Sequence, residues 1–214
     1  MKKKIKIQNP KLSNSLDTQK HIEDKILDDE LIENALIENM DIVEIENSRL
    51  RLDGCVIKNV NFYNCNFKKA DIVDVEFHNC DLSNVNLSDS SIYRVKFVNC
   101  KLVGSKFLDT VLSSVIFENS QCRYSNFSYS KLKGVRIVES DFKSSAFQEV
   151  SNGYIEINNV DFSETIFNDI SLENVDFTTC NIDSIQVRIS DLQGAIFNVE
   201  QGLELTKLMK IVIK

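Results

Sequence analysis

The sequence is poor in the residues that build linkers, and it lacks any long apolar run. Its 214 residues include one proline and six glycines, too few for a flexible linker between domains. No apolar run approaches the length of a membrane-spanning helix, and the lysines after Met1 are not followed by the apolar core of a signal peptide. We therefore expect a cytoplasmic protein that does not contact a membrane.

Residues that carry catalysis are equally scarce. The two histidines, His21 and His78, are far apart in the sequence, and we expect each to be a solvated side chain. The glycine-rich phosphate-binding and dinucleotide-binding motifs are missing, as is the zinc-protease helix motif. The formal net charge of −7 argues against direct nucleic-acid binding, which needs a basic stripe. The sequence predicts no catalytic, metal or cofactor site.

What the sequence does contain is a repeat of five residues. Of the 30 positions spaced five apart from 52 to 197, 28 hold Phe, Leu, Ile or Val, and Cys122 and Asn152 depart. All thirteen phenylalanines stand on this register, and we expect them to form a structural core ladder. They are Phe62, Phe67, Phe77, Phe97, Phe107, Phe117, Phe127, Phe142, Phe147, Phe162, Phe167, Phe177 and Phe197.

A second register, of small residues, lies two positions before the first. It begins with Cys55, Val60, Cys65 and Ala70. Residues two apart face the same side of an extended chain, so each five contains a minimal strand with both residues facing inward. The position before each small residue is often Asn, Asp or Gly, which tolerate the positive φ of a tight turn. A chain that alternates strand and corner at a fixed period is a solenoid.

Units such as Ala70-Asp71-Ile72 and Val175-Asp176-Phe177 follow the pattern A(D/N)LXX. In this feature residues 31–198 resemble the pentapeptide-repeat family. The resemblance implies an all-β fold, a right-handed quadrilateral β-helix with four pentapeptides in each coil. About eight coils at the strand spacing of about 4.8 Å would make a rod roughly 40 Å long.

The segments outside the repeat are predicted to be caps. Residues 1–30 lack the register: residues 4–7 alternate like a short strand, and residues 18–31 are charged enough for a surface helix or an irregular cap. Such a cap would cover the open first coil. Beyond the repeat, Asn198 could begin a helix over residues 199–209, followed by a terminal strand at 211–213.

The C-terminal segment, residues 199–214, is also the candidate dimer interface. Residues 194–203 resemble the end of the Qnr-type branch of the family, and that resemblance implies a two-fold homodimer made by this cap. Some apolar residues must cover the last coil, while others are free to meet a second subunit. The candidates are Leu203, Leu205, Leu208, Met209 and Ile211.

Two features leave alternatives open. All six cysteines stand on inward positions, and we expect core filling rather than disulfides or metal binding, although Cys80 and Cys100 should stack close enough to be bridged. At residues 150–154 the large apolar position is Asn152. This is either a bulge that presents Tyr154 to a partner or, as we favour, an irregular coil with a buried, hydrogen-bonded Asn152.

Charge divides the repeat into three segments. Residues 31–93 hold eleven acidic and five basic side chains. Residues 94–143 hold four acidic and nine basic side chains, and residues 144–198 hold nine acidic and one basic. In a C-terminal dimer, the last segment would form an acidic belt at the centre of the rod, which is the candidate partner surface. Its residues are Asp161, Glu164, Asp169, Glu173, Asp176 and Asp183.

The resemblance to the Qnr-type branch implies a DNA-mimicking rod without enzymatic activity. Its partner would be a type II topoisomerase, DNA gyrase or topoisomerase IV, and its effect would be on quinolone action. The alternative is a structural scaffold or regulatory protein with an unrelated protein partner.

Overall fold

The computed structural model describes residues 6–46 and 49–210, and most of the secondary structure is short strand. The strands are β1 (Asp17–Gln19), β2 (Leu31–Glu33), β3 (Ala35–Val43), β4 (Arg51–Asp53), β5 (Val56–Tyr63), β6 (Asp71–His78), β7 (Ser91–Val98), β8 (Val111–Glu118), β9 (Lys131–Val138), β10 (Ala146–Gln148), β11 (Ser151–Asn158), β12 (Ile166–Asn168) and β13 (Gln186–Val187). The α-helices are α1 (Glu23–Leu27) and α2 (Val199–Leu205), and two 3-10 helices span Ile189–Leu192 and Thr206–Met209.

The strands stack in parallel with a sequence offset of twenty residues. Ile72 pairs with Ile92, and Phe147 pairs with Phe167. Twenty residues are four of the five-residue units, so each coil has four sides and four corners. We name the sides by the large inward residue of one coil: Ile72 lies on side A, Phe77 on side B, Leu82 on side C and Leu87 on side D. The corner between sides A and B is called corner AB, and the other corners are named BC, CD and DA in the same way.

The predicted fold is confirmed as a parallel β-solenoid of about eight coils. Sides A and B carry most of a ten-stranded sheet with the main order β1-β3-β5-β6-β7-β8-β9-β11. Sides C and D are joined by single bridges, such as Asp81 with Lys101 and Asn86 with Lys106, and by the small sheet β10-β12-β13. At the strand spacing of about 4.8 Å, eight coils extend roughly 40 Å.

The interior is filled by ladders of large residues. Phe107 and Phe127 stack with ring centroids 4.7 Å apart and planes at 3°. Phe77 and Phe97 stack at 4.9 Å on another side. Twelve phenylalanines are buried, while Phe197 at the C-terminal end is half-buried on the ring of Phe177. Each buried ring contributes roughly 1.5–3 kcal/mol of hydrophobic stabilisation, so this core can hold a thin rod together.

The corners adopt the left-handed backbone conformation that the sequence predicts. Asn59, Asn79 and Asn119 have φ near 50°, a conformation that asparagine accepts more readily than most residues. Their amides also form ladders, as where Asn119 Nδ2 donates to Asn99 Oδ1 at 2.6 Å. At Gly104, with φ of 70°, an added Cβ would lie 2.5 Å from Asn84 Oδ1, so a larger residue would have to displace that side chain.

Small inward residues satisfy the carbonyls of neighbouring coils. Ser105 Oγ donates to Leu82 O, and Thr110 Oγ1 to Leu87 O, each at 2.8 Å. The six cysteines are buried and free, as predicted, and burial raises the pKa of Cys55, Cys65 and Cys180. These thiols therefore behave as small core residues.

The N-terminal cap differs from its prediction. Thr18 and Gln19 belong to strand β1, which pairs with β3, and the helix is limited to the five residues of α1. Of the strand predicted at residues 4–7, the first two residues lie outside the described part, and Lys6 and Ile7 are not in a strand. Strand β1 is offset from β3 by eighteen residues, as in the pairing of Thr18 with Leu36, so it lies outside the five-residue register from which the sequence was interpreted.

The C-terminal cap begins as predicted. Asn198 Oδ1 accepts the Gln201 N–H at 2.9 Å and Gln201 Oε1 accepts the Asn198 N–H at 2.9 Å, a capping box. The helix ends at Leu205, and its last turn tightens into the 3-10 helix Thr206–Met209. The strand predicted at residues 211–213 lies outside the described residues.

The irregular stretch at residues 150–154 is a bulge within β11. The pairing of β11 with β9 shifts register on both sides of Tyr154. Asn152 is half-buried and its Nδ2 donates to Ser171 O at 3.0 Å, while Tyr154 is half-buried and its hydroxyl donates to Glu156 Oε1 at 2.6 Å. The stretch is thus a bulge, as the first alternative held, but Tyr154 is not fully exposed. Asn152 is hydrogen-bonded, as the favoured alternative held, but only half-buried.

Candidate partner surfaces

The described residues hold no group of three or more His, Cys, Asp or Glu side chains placed to bind a metal ion. His78 is half-buried on the outside of side B, with Nε2 2.9 Å from Glu76 Oε2, and His21 is exposed in the N-terminal cap. Of the helices that the structure describes, none has the length and apolar character needed to span a membrane. Attention therefore turns to the outer surface of the rod.

The six acidic residues proposed as a partner surface encircle the rod. Asp161 and Asp183 are on side C, Glu164 is at corner CD, and Asp169 is at corner DA. Glu173 is on side A and Asp176 on side B. They lie within two successive coils, so they form a band around the column and not a stripe along one side.

Neighbouring groups restrain three of these carboxylates, and Glu173 also interacts with a neighbouring group. Lys143 Nζ lies 3.0 Å from Glu164 and, with Ser144, lowers the pKa of that carboxyl. Arg188 pairs with Asp169. Hydrogen bonds from Thr178 lower the pKa of Asp176.

The other two acids show how much charge the band keeps. The Ser163 N–H bonds the Asp161 carboxylate at 2.8 Å. Among the described residues, no hydrogen bond or ion pair is formed by the carboxylate of Asp183. Asp161, Asp176 and Asp183 therefore keep their negative charge, since N–H and hydroxyl groups orient a carboxylate without neutralising it, whereas Glu164 and Asp169 are paired with cations.

Most of the cations in the middle of the rod are tied to acids in adjacent coils. Lys96 pairs with Glu118 at 2.7 Å, Arg136 with Glu156 at 2.7 Å and Arg123 with Asp141 at 2.5 Å. Lys106, Lys131 and Lys133 have no partner within residues 6–46 and 49–210. The positive segment predicted from composition is thus reduced to a few free lysines, two of them next to each other on side A.

A buried ion pair holds the N-terminal segment to the rod. Arg94 forms two bonds with the carboxylate of Asp74, which is 6% exposed at corner AB, and the Lys11 N–H donates to Asp74 Oδ1 at 2.8 Å. Burial by itself raises the pKa of Asp74, but the bonds from Arg94 and Lys11 outweigh it and leave the pKa below its usual value. The guanidinium of Arg94 also lies 4.0 Å from the ring centroid of Tyr93.

The predicted dimer residues divide into two groups. Leu205 is half-buried and packs on the core, whereas Leu203, Leu208 and Met209 are exposed, and Ile211 lies outside the described residues. Sequence reasoning missed Val199, which is 81% exposed at the start of α2. It could have been found, because it follows the helix cap and falls outside the five-residue register.

Sequence reasoning also missed Gln201, whose side chain closes the last coil. Its Nε2 donates to Phe177 O and to Cys180 O, each at 2.8 Å. Phe177 O also accepts the Cys180 N–H, whereas Cys180 O has no other bond among the described residues. The signal for this residue is its position three after Asn198, as in a capping box.

Comparisons with known proteins agree with this architecture. Residues 70–157 match the family model described as a pentapeptide repeat region, which confirms the resemblance for that stretch. No curated protein matches the chain.

Two trypsin-treated variants of QnrB1, described as a plasmid-mediated fluoroquinolone resistance protein, share the fold. One is 18% identical over 84% of this chain and 100% of its own, with a TM-score of 0.54. The other is 18% identical, covers 83% of this chain and 99% of its own, and has a TM-score of 0.51.

Proposed function

Because this chain carries a pentapeptide-repeat region, we propose that it is a non-enzymatic binding protein of the Qnr type. In this proposal its acidic rod occupies the DNA-binding groove of a type II topoisomerase, DNA gyrase or topoisomerase IV, and modulates quinolone action in the cytoplasm. The likeness of fold to QnrB1 suggests the hypothesis, and the surface of the rod supports it.

The acidic band around residues 161–183 carries the proposal. A topoisomerase groove that binds DNA is basic, so a column with negative charge on sides A, B and C and at corners CD and DA can enter it in several rotations. The free carboxylate of Asp183 and the locally held carboxylates of Asp161 and Asp176 lie in this band. The ion pairs of the middle segment remove most of the positive charge that would oppose such binding.

A supercoiling assay tests this proposal. We expect micromolar protein to inhibit gyrase or topoisomerase IV, or to reduce quinolone-induced DNA cleavage. The triple variant Asp161→Asn, Asp176→Asn, Asp183→Asn should weaken the effect at least tenfold. The matched control Glu33→Gln, Asp41→Asn, Glu44→Gln removes three charges at the other end of the rod and should retain most of it. Absence of both inhibition and protection at micromolar protein would refute the proposal.

We further propose a homodimer through the C-terminal segment. Val199, Leu203 and Met209 are at least half exposed, and apolar side chains grouped at one end of a column are typical of an isologous contact. Leu203→Glu should convert the dimer to a monomer in sedimentation experiments. Leu27→Glu, at an exposed leucine of the opposite cap, should leave the mass unchanged. A wild-type monomer at tens of micromolar would contradict this part of the proposal.

The alternative function is a scaffold or regulatory protein with an unrelated protein partner. The free lysines Lys106, Lys131 and Lys133 favour it, since they interrupt a continuous DNA-like surface. A pull-down separates the two functions. Gyrase or topoisomerase IV released by high salt supports the first, and an unrelated partner that resists salt supports the second.

A further inference from the structure

The solenoid changes the shape of its coils near residue 172. In the coils of β6 to β11, corner AB lies within a continuous strand, as in Asp71–His78 and Lys131–Val138. At the same corner in the next coil, the Val175 N–H donates to Leu172 O at 3.0 Å. Corner BC changes in the same way, with a bond from Cys180 N to Phe177 O at 2.8 Å. Both corners become hydrogen-bonded turns, which follow a different backbone path from an extended corner.

Because coils of two shapes meet there, their backbones fit poorly on sides A and B. The large sheet ends at β11. In earlier coils the Ser151 N–H bonds Ser130 O at 3.0 Å and the Glu76 N–H bonds Cys55 O at 3.0 Å. The equivalent N–H groups of Ser171 and Asp176 make no hydrogen bond within the described part of the chain. We call the boundary between residues 151–158 and residues 171–178 the seam.

Packing across the seam is also incomplete. Ile155 and Ile157 are half-buried, whereas their equivalents one coil earlier, Val135 and Ile137, are 2% and 3% exposed. A small apolar cavity of about 20 Å³ lies between the two coils. It is lined by Ile137, Phe147, Ile155, Ile157, Phe162, Phe167, Leu172, Val175 and Phe177. Unfilled space of this kind costs stability because the lining side chains lose contacts.

Sides C and D cross the same boundary without interruption. Asp161 pairs with Asn181, and β12 pairs with β13. The Phe162 N–H bonds Asn181 O at 2.8 Å and the Gln186 N–H bonds Thr165 O at 2.9 Å. On side A a side chain crosses the boundary, where Asn152 Nδ2 donates to Ser171 O at 3.0 Å. The backbone is therefore fastened on sides C and D and not on sides A and B, which is the arrangement of a hinge.

We propose that the seam is a joint that opens at corner AB and pivots on sides C and D. The part beyond it, residues 171–210, moves as a unit against the regular coils. This joint is independent of the partner that the rod binds. In the proposed homodimer, and only if that proposal holds, it would set the angle between the two rods.

Thiol accessibility tests the joint. Val175→Cys places a thiol at the cavity, and Val95→Cys places one at the equivalent position, fully buried, four coils earlier. Under native conditions we expect a thiol reagent to modify Val175→Cys at least tenfold faster, monitored by mass spectrometry against the six native cysteines. Adding Asn152→Ala, which removes the bond from Asn152 Nδ2 to Ser171 O across the seam, should speed the reaction further. Equal rates at the two positions would overturn the proposal.

Engineered disulfides test where the pivot lies. Ser151→Cys with Ser171→Cys fastens side A, and Asp161→Cys with Asn181→Cys fastens side C across the same two coils. In the Val175→Cys background, the side A bridge should abolish the fast modification and the side C bridge should leave it. Equal suppression by both bridges would mean that the C-terminal unit separates or unfolds as a whole, and would exclude a hinge on sides C and D.

Discussion

The regular coils before the seam and the coils after it share one five-residue pattern but differ in packing. In the regular coils, strands cover two sides and rings stack almost in parallel, as with Phe107 and Phe127. After the seam, corners AB and BC become hydrogen-bonded turns, and Ile155 and Ile157 at the boundary are half-buried, although Phe177 and Phe197 still stack at 5.2 Å. The repeat therefore determines which residues face inward, while the corner type determines how well successive coils stack.

The largest effect that would sharpen this comparison comes from the aromatic ladder. Phe107→Ala should cost about 3–5 kcal/mol of unfolding free energy, because its buried ring leaves a cavity between rigid coils. Phe197→Ala, at the half-buried end of the ladder, should cost less than about 2 kcal/mol. Urea unfolding measures both. Equal losses would show that the C-terminal coils are packed as tightly as the regular ones.

Ion pairs offer a second contrast between the regions. Asp74→Asn leaves the guanidinium of Arg94 without a charged partner at a site where both side chains are about nine-tenths buried, and should cost about 2–3 kcal/mol. Asp169→Asn removes the exposed pair with Arg188 and should cost under about 1 kcal/mol. Asparagine tolerates the positive φ of both corners, so backbone strain is matched. A loss at Asp169 as large as that at Asp74 would contradict this ranking.

The sequence predicted the solenoid because its signal is local and repeated: Phe77, Phe97 and Phe117 stack as their spacing requires. It could not predict the seam, since Val175 follows its corner just as Val75 does and the change of turn type has no residue signature. Nor could it predict that Lys11 bonds the Asp74 carboxylate, because these two residues are 63 positions apart and Lys11 lies outside the repeat. The acidic residues were identified from composition, but their placement on three sides and two corners required the coil period.

A third, smaller effect concerns the end of the rod. Gln201→Ala should cost about 1–2 kcal/mol, because Phe177 O and Cys180 O each lose a bond of 2.8 Å and the helix loses half of its capping box. Glu200→Ala, exposed in the same turn, should change the unfolding free energy by less than about 0.5 kcal/mol. If both variants match wild type in thermal and urea unfolding, the cap does not stabilise the last coil.

The smallest effect is a pH dependence of opposite sign at two neighbouring aspartates. Burial, together with repulsion from Asp74 and Glu33, raises the pKa of Asp53, whereas the pKa of Asp74 is lowered. A raised carboxyl pKa means that the folded state takes up a proton more readily than the unfolded state, so ionised Asp53 destabilises the fold at neutral pH. The stabilisation by Asp74 is instead present above about pH 4, its unfolded value, and is lost as the pH falls through its folded pKa.

Asp53→Asn should therefore stabilise the protein at pH 7, and its advantage should shrink as the pH falls toward 4. Asp74→Asn should destabilise it at pH 7, and its deficit should shrink only below about pH 4, as first the unfolded and then the folded carboxyl of wild-type Asp74 takes up a proton. Urea unfolding of both variants from pH 3 to 7 measures the two profiles. If Asp53→Asn lowers stability at pH 7, cations must compensate the charges of Glu33, Asp53 and Asp74. This end of the rod would then resemble residues 94–143, where most charges are paired.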